Sequence, residues 1–470
     1  MALRNAMKAI MNSCRRAHEG RRVPDLLAQC ALGVCVFVYW QVLTADTIRL
    51  VPLYSGELKA IAQADWISMW TWLDYGRYFR YSPTALLPVG LIDRHFLAPL
   101  LGIRFPSDEF VQAKRLIPLF IASFVVIALC TYRLCRFLEL GVPASFAAGV
   151  FIGLNKGFAY YLGFVSTIAA SLLILYSISV LFFGIRYLRT RRLIDLLGYY
   201  LSLFLALGAW EQWLNLLLFL IAVSILLIRH SGVEKSRAIR IHGVLTPLLI
   251  GTIYIALHSG VSSREANSVS EAQYVFSYPS PALMVEDVVV NASLHVASIV
   301  EPLVFPWPML SQAVLQRYDI DKHNPYNRTY TSFSTIHYRG IGDWYAGLLF
   351  AISLCATAAL ARYLVKNRDN CAPAVIGLML TWAGFIVHLP IMYRTYFVLP
   401  GYASLLDYKH ALSILGFSVL LGWMTHSLAL GIRSRSLKVL SFSLLLLWLA
   451  YCNYSKVATS FQFGRGVYPW

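Results

Sequence analysis

Residues 164–192 read FVSTIAASLLILYSISVLFFGIRYLRTRR, 22 residues without a charge followed by four arginines in the next seven. A helix rises about 1.5 Å per residue and a bilayer's hydrocarbon core is about 30 Å thick, so an uncharged run of this length is a membrane span. The arginines that close it mark the end that stays in the cytoplasm.

Similar stretches recur on both sides of this one, at 28–44, 116–132, 142–155, 193–209, 211–228, 243–258, 344–361, 373–392, 411–430 and 438–453, which makes eleven spans. The run at 142–155 is short and reads as a tilted or half-buried helix. A chain of 470 residues that is 58% hydrophobic and 13% charged exposes more apolar surface than one soluble core can hide. The fold class that follows is an all-α integral membrane protein with about eleven transmembrane helices.

The formal charge of +17 is unevenly placed. With a cytoplasmic N-terminus, the tail and the same-side connections hold 22 of the 40 basic residues and 6 of the 23 acidic ones, leaving a nearly balanced 18 and 17 elsewhere. An excess confined to short loops beside apolar spans is the positive-inside pattern, and no nucleic-acid partner is needed to account for it. The first span follows the basic residues Arg15, Arg16, Arg21 and Arg22 and has no small-residue cleavage site after it, so it reads as an uncleaved anchor. The chain then divides into a cytoplasmic basic tail (1–27), an N-terminal membrane module (28–258) with an outer loop at 45–115, an outer cap (259–343) and a C-terminal module (344–470). The inner membrane of a bacterium, or the endoplasmic reticulum membrane of a eukaryote, is the expected location.

Eight cysteines, Cys14, Cys30, Cys35, Cys130, Cys135, Cys355, Cys371 and Cys452, fall in the tail, in spans or at span ends. None has zinc-site spacing, and they build no disulfide framework in the outer loops. Asn291, Asn327 and Asn453 open the sequons NAS, NRT and NYS, a number that polar composition alone produces.

In the first outer loop, residues 57–73 read ELKAIAQADWISMWTWL. Leu58, Ile61, Ala62, Trp66, Met69, Trp70 and Leu73 recur at spacings of three and four, the pattern of an amphipathic helix whose tryptophans settle at headgroup level. Residues 82–101 carry Pro83, Pro88, Pro99, Asp93, Arg94 and His95, which suits an interfacial or re-entrant segment better than a span. The second outer loop combines a short helix near 285–300 with the proline-rich EPLVFPWPM and the polar RYDIDKHNPYNRTYTSF.

The sequence has no P-loop, dinucleotide fingerprint, HExxH or GxSxG motif. Ionisable residues gather in the first outer loop: Asp46, Glu57, Asp65, Asp74 and Asp93 with Arg77, Arg80 and Arg94. Carboxylates at an apolar interface lose hydration, which raises their pKa values and suits them to proton abstraction.

LYSGELKAIAQADWISMWTWL (53–73) and GRYFRYSPTALLPVG (76–90), with FAAGVFIGLNKGFAYYLGFVSTIAASLLILYSI (146–178) and LFLALGAWEQWLNLLLFLI (203–221), resemble the GT-C superfamily of membrane glycosyltransferases. The likeness is to its protein mannosyltransferase and aminoarabinose transferase branch and covers residues 28–260. It departs where the usual Asp-Glu pair reads Gly56-Glu57, and where Glu211 replaces a basic residue near the fifth turn.

The resemblance implies a polyprenyl-phosphate sugar donor, a lipid, glycan or protein acceptor, and inverting displacement with a carboxylate base. Glu57 stands at the family's acidic position, and Asp65 follows two helical turns along the same face. The leaving phosphate needs cations, for which Arg77, Arg80, Lys156, Arg339, Arg394 and Lys409 are candidates, or a divalent metal whose ligands the sequence does not name. Glu211, between Trp210 and Trp213, and His337 complete the expected substrate-binding set. Neither a nucleotide nor haem is expected.

Two other readings remain open at this stage. A polyprenyl-diphosphate oligosaccharide ligase or polymerase would depend on Arg339 and His337, and a lipid-linked sugar flippase would use Asp195, His388 and His426 within the membrane.

Overall fold

The computed structural model describes residues 22–45, 109–155, 157–158, 168–209, 213–230, 237–264, 281–304, 341–366, 372–389 and 410–467. Every regular element among them is helical. They are α1 (Arg22–Ala45), α2 (Glu109–Phe137), α3 (Val142–Gly153), α4 (Ile168–Thr190), α5 (Leu193–Leu207), α6 (Trp213–His230), α7 (Thr246–Arg264), α8 (Pro281–Val304), α9 (Ile341–Lys366), α10 (Ala372–Ala383), α11 (Ala411–Gly431) and α12 (Arg435–Val467). Six stretches are long and apolar enough to cross a membrane: Val23–Thr44, Ile117–Phe137, Ile168–Thr190, Gly347–Leu364, Ala411–Gly431 and Arg435–Ser455. The amphipathic segment 57–73 and the proline-containing segment 82–101 lie outside the described residues.

α3, where a short third span was expected, is enclosed by other helices. Twelve residues rise only ~18 Å, too little to cross the core alone, yet α3 is apolar around its whole circumference and buried from Ala147 to Gly153. It is wrapped by α1, α2, α11 and α12. The sequence VPASFAAGVFIG permits this because its small residues admit neighbours on every side. At Gly149, a Cβ would stand 2.5 Å from Leu32 Cδ2 and 3.1 Å from the Ala128 carbonyl oxygen. One end of α3 is held by Trp40, whose indole N–H donates to the Gly153 carbonyl at 2.7 Å.

At the other end of α3, the turns carry charge. Asp25 accepts from Arg136 Nε at 2.8 Å and from the Tyr132 hydroxyl at 2.5 Å, joining the start of α1 to the end of α2. Glu139 (φ 69°) closes α2 in the left-handed conformation that usually falls to glycine, with Leu140 N–H bonded to the Cys135 carbonyl. Arg191 (φ 57°) closes α4 the same way, its N–H bonded to the Tyr187 carbonyl. Each non-glycine residue held there costs roughly 1–2 kcal/mol. Asp195, in the first turn of α5, is buried and bonded to Arg186 at 3.0 Å and to the Thr190 hydroxyl at 2.6 Å. His426, near the end of α11, faces the N–H of Gly141 at 3.4 Å. Helix starts and helix ends thus meet at this end, as an up-and-down bundle requires.

Three expectations from the sequence change. The segment expected to be the second outer loop holds a 24-residue helix, α8, and not a short one near 285–300; it packs on α9, α11 and α12. Its apolar face explains the length, because Val296 and Ile299 join Phe385, Trp382, Phe350 and Phe417 in a second small core. The ninth span is not continuous over 373–392: α10 stops at Ala383 and a single 3-10 turn follows at Ile386–His388. The seventh span begins with a π-helical turn, Ile239–Leu245, before α7 continues. Asn453 of the sequon NYS is buried within α12, its amide donating to the Leu449 carbonyl at 2.8 Å.

α10 and α11 touch backbone to backbone. A Cβ on Gly416 would lie 2.4 Å from Thr381 N, and one on Gly384 would lie 2.4 Å from Ser413 N. Main-chain atoms cannot rotate away as a side-chain tip does, so any larger residue must part the helices. Gly416→Leu is expected to cost more than ~3 kcal/mol. Gly347→Leu, at a position where a Cβ meets nothing within 4 Å, should change stability by less than ~0.5 kcal/mol. Thermal unfolding of both variants in the same detergent checks the contrast.

Candidate functional site

All ten residues singled out from the sequence, Glu57, Asp65, Arg77, Arg80, Lys156, Glu211, His337, Arg339, Arg394 and Lys409, lie outside the described residues. Lys156 follows the described Asn155, Lys409 precedes the described His410, and Glu211 stands two residues before the described Trp213. These three described residues stand at the end of the bundle opposite the arginines, where α3 finishes and α6 and α11 begin.

Three polar side chains at this end, His295, His410 and Asn215, are buried and hydrogen-bonded. His295, from the middle of α8, and His410, which caps α11, bring their Nδ1 atoms to 2.8 Å. Both are buried, at 0% and 1% exposure. The rings meet edge to face, and the Phe385 ring stacks on His295 at 5.1 Å and 5°. In such a pair one Nδ1–H donates and the other Nδ1 accepts, so at least one imidazole is neutral.

Asn215 completes the arrangement. It lies in the first turn of α6 and is fully buried. Its amide donates to the Gly384 carbonyl at 2.7 Å, and its carbonyl accepts from Val387 N–H at 2.9 Å. These are backbone groups freed where α10 breaks. One side chain therefore supplies the bonds that a continuous helix would have made, and in a lipid setting such groups are costly when left unmet. Nearby, Asn155 accepts from Gly157 N–H at 2.9 Å, and Phe158 stacks on Phe124 at 4.5 Å.

His295, His410 and Asn215 were not singled out from the sequence, although a signal was present. Each is a polar residue within or beside an apolar run, in NASLHVASIV, KHALSILGF and WLNLLLFLI, and polar groups at membrane depth are expensive enough to demand a role. Their burial bars contact with a substrate. Their role is to hold α8 and the break in α10 rigidly at the end where α6 and α11 begin.

No group of three His, Cys, Asp or Glu side chains that could hold a metal occurs among the described residues. Carboxylates at the arginine end serve other partners, since Asp25 and Asp195 are both consumed in ion pairs.

The histidine pair should behave as a coupled unit. His295→Ala and His410→Ala are each expected to lower stability. The double variant should cost less than their sum by about 1 kcal/mol or more, because the bond the two share is lost in each single variant and only once in the double. A double-mutant cycle on unfolding temperature in detergent measures this coupling, and strict additivity would refute it. No protein-family model matches the chain and no curated protein matches it, so the reading of this end rests on its own chemistry.

Proposed function

We propose that the chain is a membrane glycosyltransferase that moves a sugar from a polyprenyl-phosphate donor to a lipid, glycan or protein acceptor. The reaction takes place at the end of the bundle opposite the arginines, which is the outer, periplasmic or lumenal, side of the membrane. In this reading Glu57 is the general base that deprotonates the acceptor hydroxyl, with Asp65 as the second candidate. Arg77, Arg80, Lys156, Arg339, Arg394 and Lys409 compensate the charge that develops on the leaving phosphate, and Glu211 and His337 contact substrate.

One observation carries the reading. The end of α1, which leads into the long carboxylate-bearing segment, and the starts of α6 and α11, beside Glu211 and Lys409, lie at the end where α3 finishes and His295, His410 and Asn215 are buried, away from Asp25, Arg136, Arg186 and Asp195. Rigid packing at that end suits a site that must hold two substrates in register. The pairing of Asp195 with Arg186, and the placement of His426 beside Gly141, favour transfer over transport, because these residues serve structure at the opposite end.

The topology is proposed with it: eleven spans, with the arginines in the cytoplasm. In a cysteine-free background, Arg192→Cys should react with a membrane-impermeant maleimide only from the cytoplasmic side of sealed vesicles. Pro281→Cys should react only from the other side. The reverse labelling would overturn the orientation.

For the activity, purified protein in proteoliposomes with a radiolabelled polyprenyl-phosphate sugar should release labelled product. Glu57→Ala or Asp65→Ala should lower the rate by ~10²–10⁴-fold, the range for removing a general base. Full transfer by both variants, or labelled donor crossing the bilayer with no covalent product, would overturn the assignment.

A further inference from the structure

The arginine-rich end carries a feature that the proposed reaction does not use. α5 and the π-helical turn leading into α7 lie side by side: the Tyr199 hydroxyl donates to the His242 carbonyl at 3.1 Å, Tyr200 hydrogen-bonds the His242 ring, and the Tyr254 hydroxyl donates to the Phe204 carbonyl at 3.1 Å. Beside this seam runs an exposed apolar row on each helix. Leu193, Leu197 and Leu201 form one on α5, and Leu245, Leu249 and Ile253 form the other on α7. A helical projection about the bonded residues puts both rows on the same side of the pair, so they flank one shallow groove.

The groove has a cationic head. Arg192 is exposed immediately before Leu193, and Arg237 and Arg240 are exposed where the π-helical turn opens the second row. Arg191 is exposed as well, with its guanidinium 5.5 Å from the centre of the Tyr187 ring. That ring meets His242 edge to face at 5.3 Å, which connects Arg191 to the seam itself. Among the described residues of this end, Asp25 is paired with Arg136, Asp195 is bonded to Arg186, and Glu139 lies 3.8 Å from Arg189.

The backbone supplies an independent sign. Arg191 occupies the left-handed position that ends α4, at φ 57°, where glycine would sit without strain. A large cationic side chain held at a glycine position is worth its strain when the charge is used.

We propose that this groove binds one anionic phospholipid from the leaflet that meets the arginine-rich end, with its phosphate at Arg191 and Arg240 and an acyl chain along the rows of α5 and α7. Basic pockets between apolar helices recognise acidic headgroups in this way, through charge at the head and contact area along the chain. The site is independent of the transfer reaction and of which side of the membrane that end faces.

The test uses the full chain in detergent with equal amounts of phosphatidylglycerol and phosphatidylcholine, read by native mass spectrometry. Phosphatidylglycerol should be enriched among bound lipids. Arg191→Gly removes the cation while relieving the backbone, so it should unfold no earlier than the parent in lipid-free detergent and still lose enrichment by roughly fivefold. Arg191→Gly combined with Arg240→Gln should lose roughly a further fivefold. Arg433→Gln with Arg435→Gln, which removes two arginines of α12 and the turn before it, should leave enrichment unchanged.

Leu201→Asp, which spoils the acyl row and spares the head, should also reduce enrichment. Equal loss in the α12 variants would show diffuse charge and overturn the site. So would enrichment that survives Arg191→Gly with Arg240→Gln. Full competition by inorganic phosphate, with no effect of Leu201→Asp, would overturn the lipid in favour of a free anion.

Discussion

Backbone contact between α10 and α11 constrains everything at the far end of the bundle. Gly384 and Gly416 bring main chain against main chain, leaving no room for a side chain between the two helices. Small residues are the means by which helices associate in a lipid setting, where the surrounding chains are as apolar as leucine and no hydrophobic gain separates one partner from another. Once α10 and α11 are fixed, the end of α10 must break where it meets Ser413. Asn215 then has a defined pair of backbone groups to satisfy, and His410 has a defined place at the head of α11. The position of α8 follows from that histidine. A chain of dependence thus runs from two glycines to a buried imidazole pair.

The same economy operates around α3. A helix too short to span becomes the centre because it offers small side chains in all directions, and its neighbours tilt their own apolar faces onto it. Trp40 bonded to Gly153 and Phe151 packed on Phe417 tie this centre to the far end. At the near end, stability has a different origin. Charge pairs and two strained, left-handed helix caps close the turns at Glu139 and Arg191. The bundle is therefore held by shape at one end and by charge at the other.

How much of this was legible in the sequence depends on range. Spans made of continuous apolar residues, such as those at 164–185 and 411–430, appear as helices within a few residues of their expected limits, because length and hydropathy are local properties. The break of α10 was not legible. It is caused by Gly384 meeting Ser413 and by an amide 169 residues away in the chain, and no local pattern encodes that encounter. The length of α8 was missed for a related reason: its sequence contains charges that suggest a surface loop, while Val296 and Ile299 find partners only in other helices. The candidate site divides in the same way. Carboxylates and cations could be grouped by loop, but Asn215, His295 and His410 acquire meaning only when the helices that carry them are packed.

The buried imidazole pair clarifies what α8 contributes. α8 enters the bundle beside α11 at His410, and its far end lies against α12, where the Leu303 carbonyl accepts from the Trp448 indole at 2.6 Å. A surface cap would need neither bond. A polar contact at 0–1% exposure and an apolar cluster around Phe385 instead make the helix an integral wall of that end. Burying two imidazoles costs desolvation that their mutual hydrogen bond helps to offset, and that bond forms in one seating of α8 and not in sliding alternatives. Leucines in their place would bury at least as well without fixing register. Orientation of one helix against another, and not adhesion, is therefore what the histidines supply, and a site assembled from separate loops needs that kind of reference point.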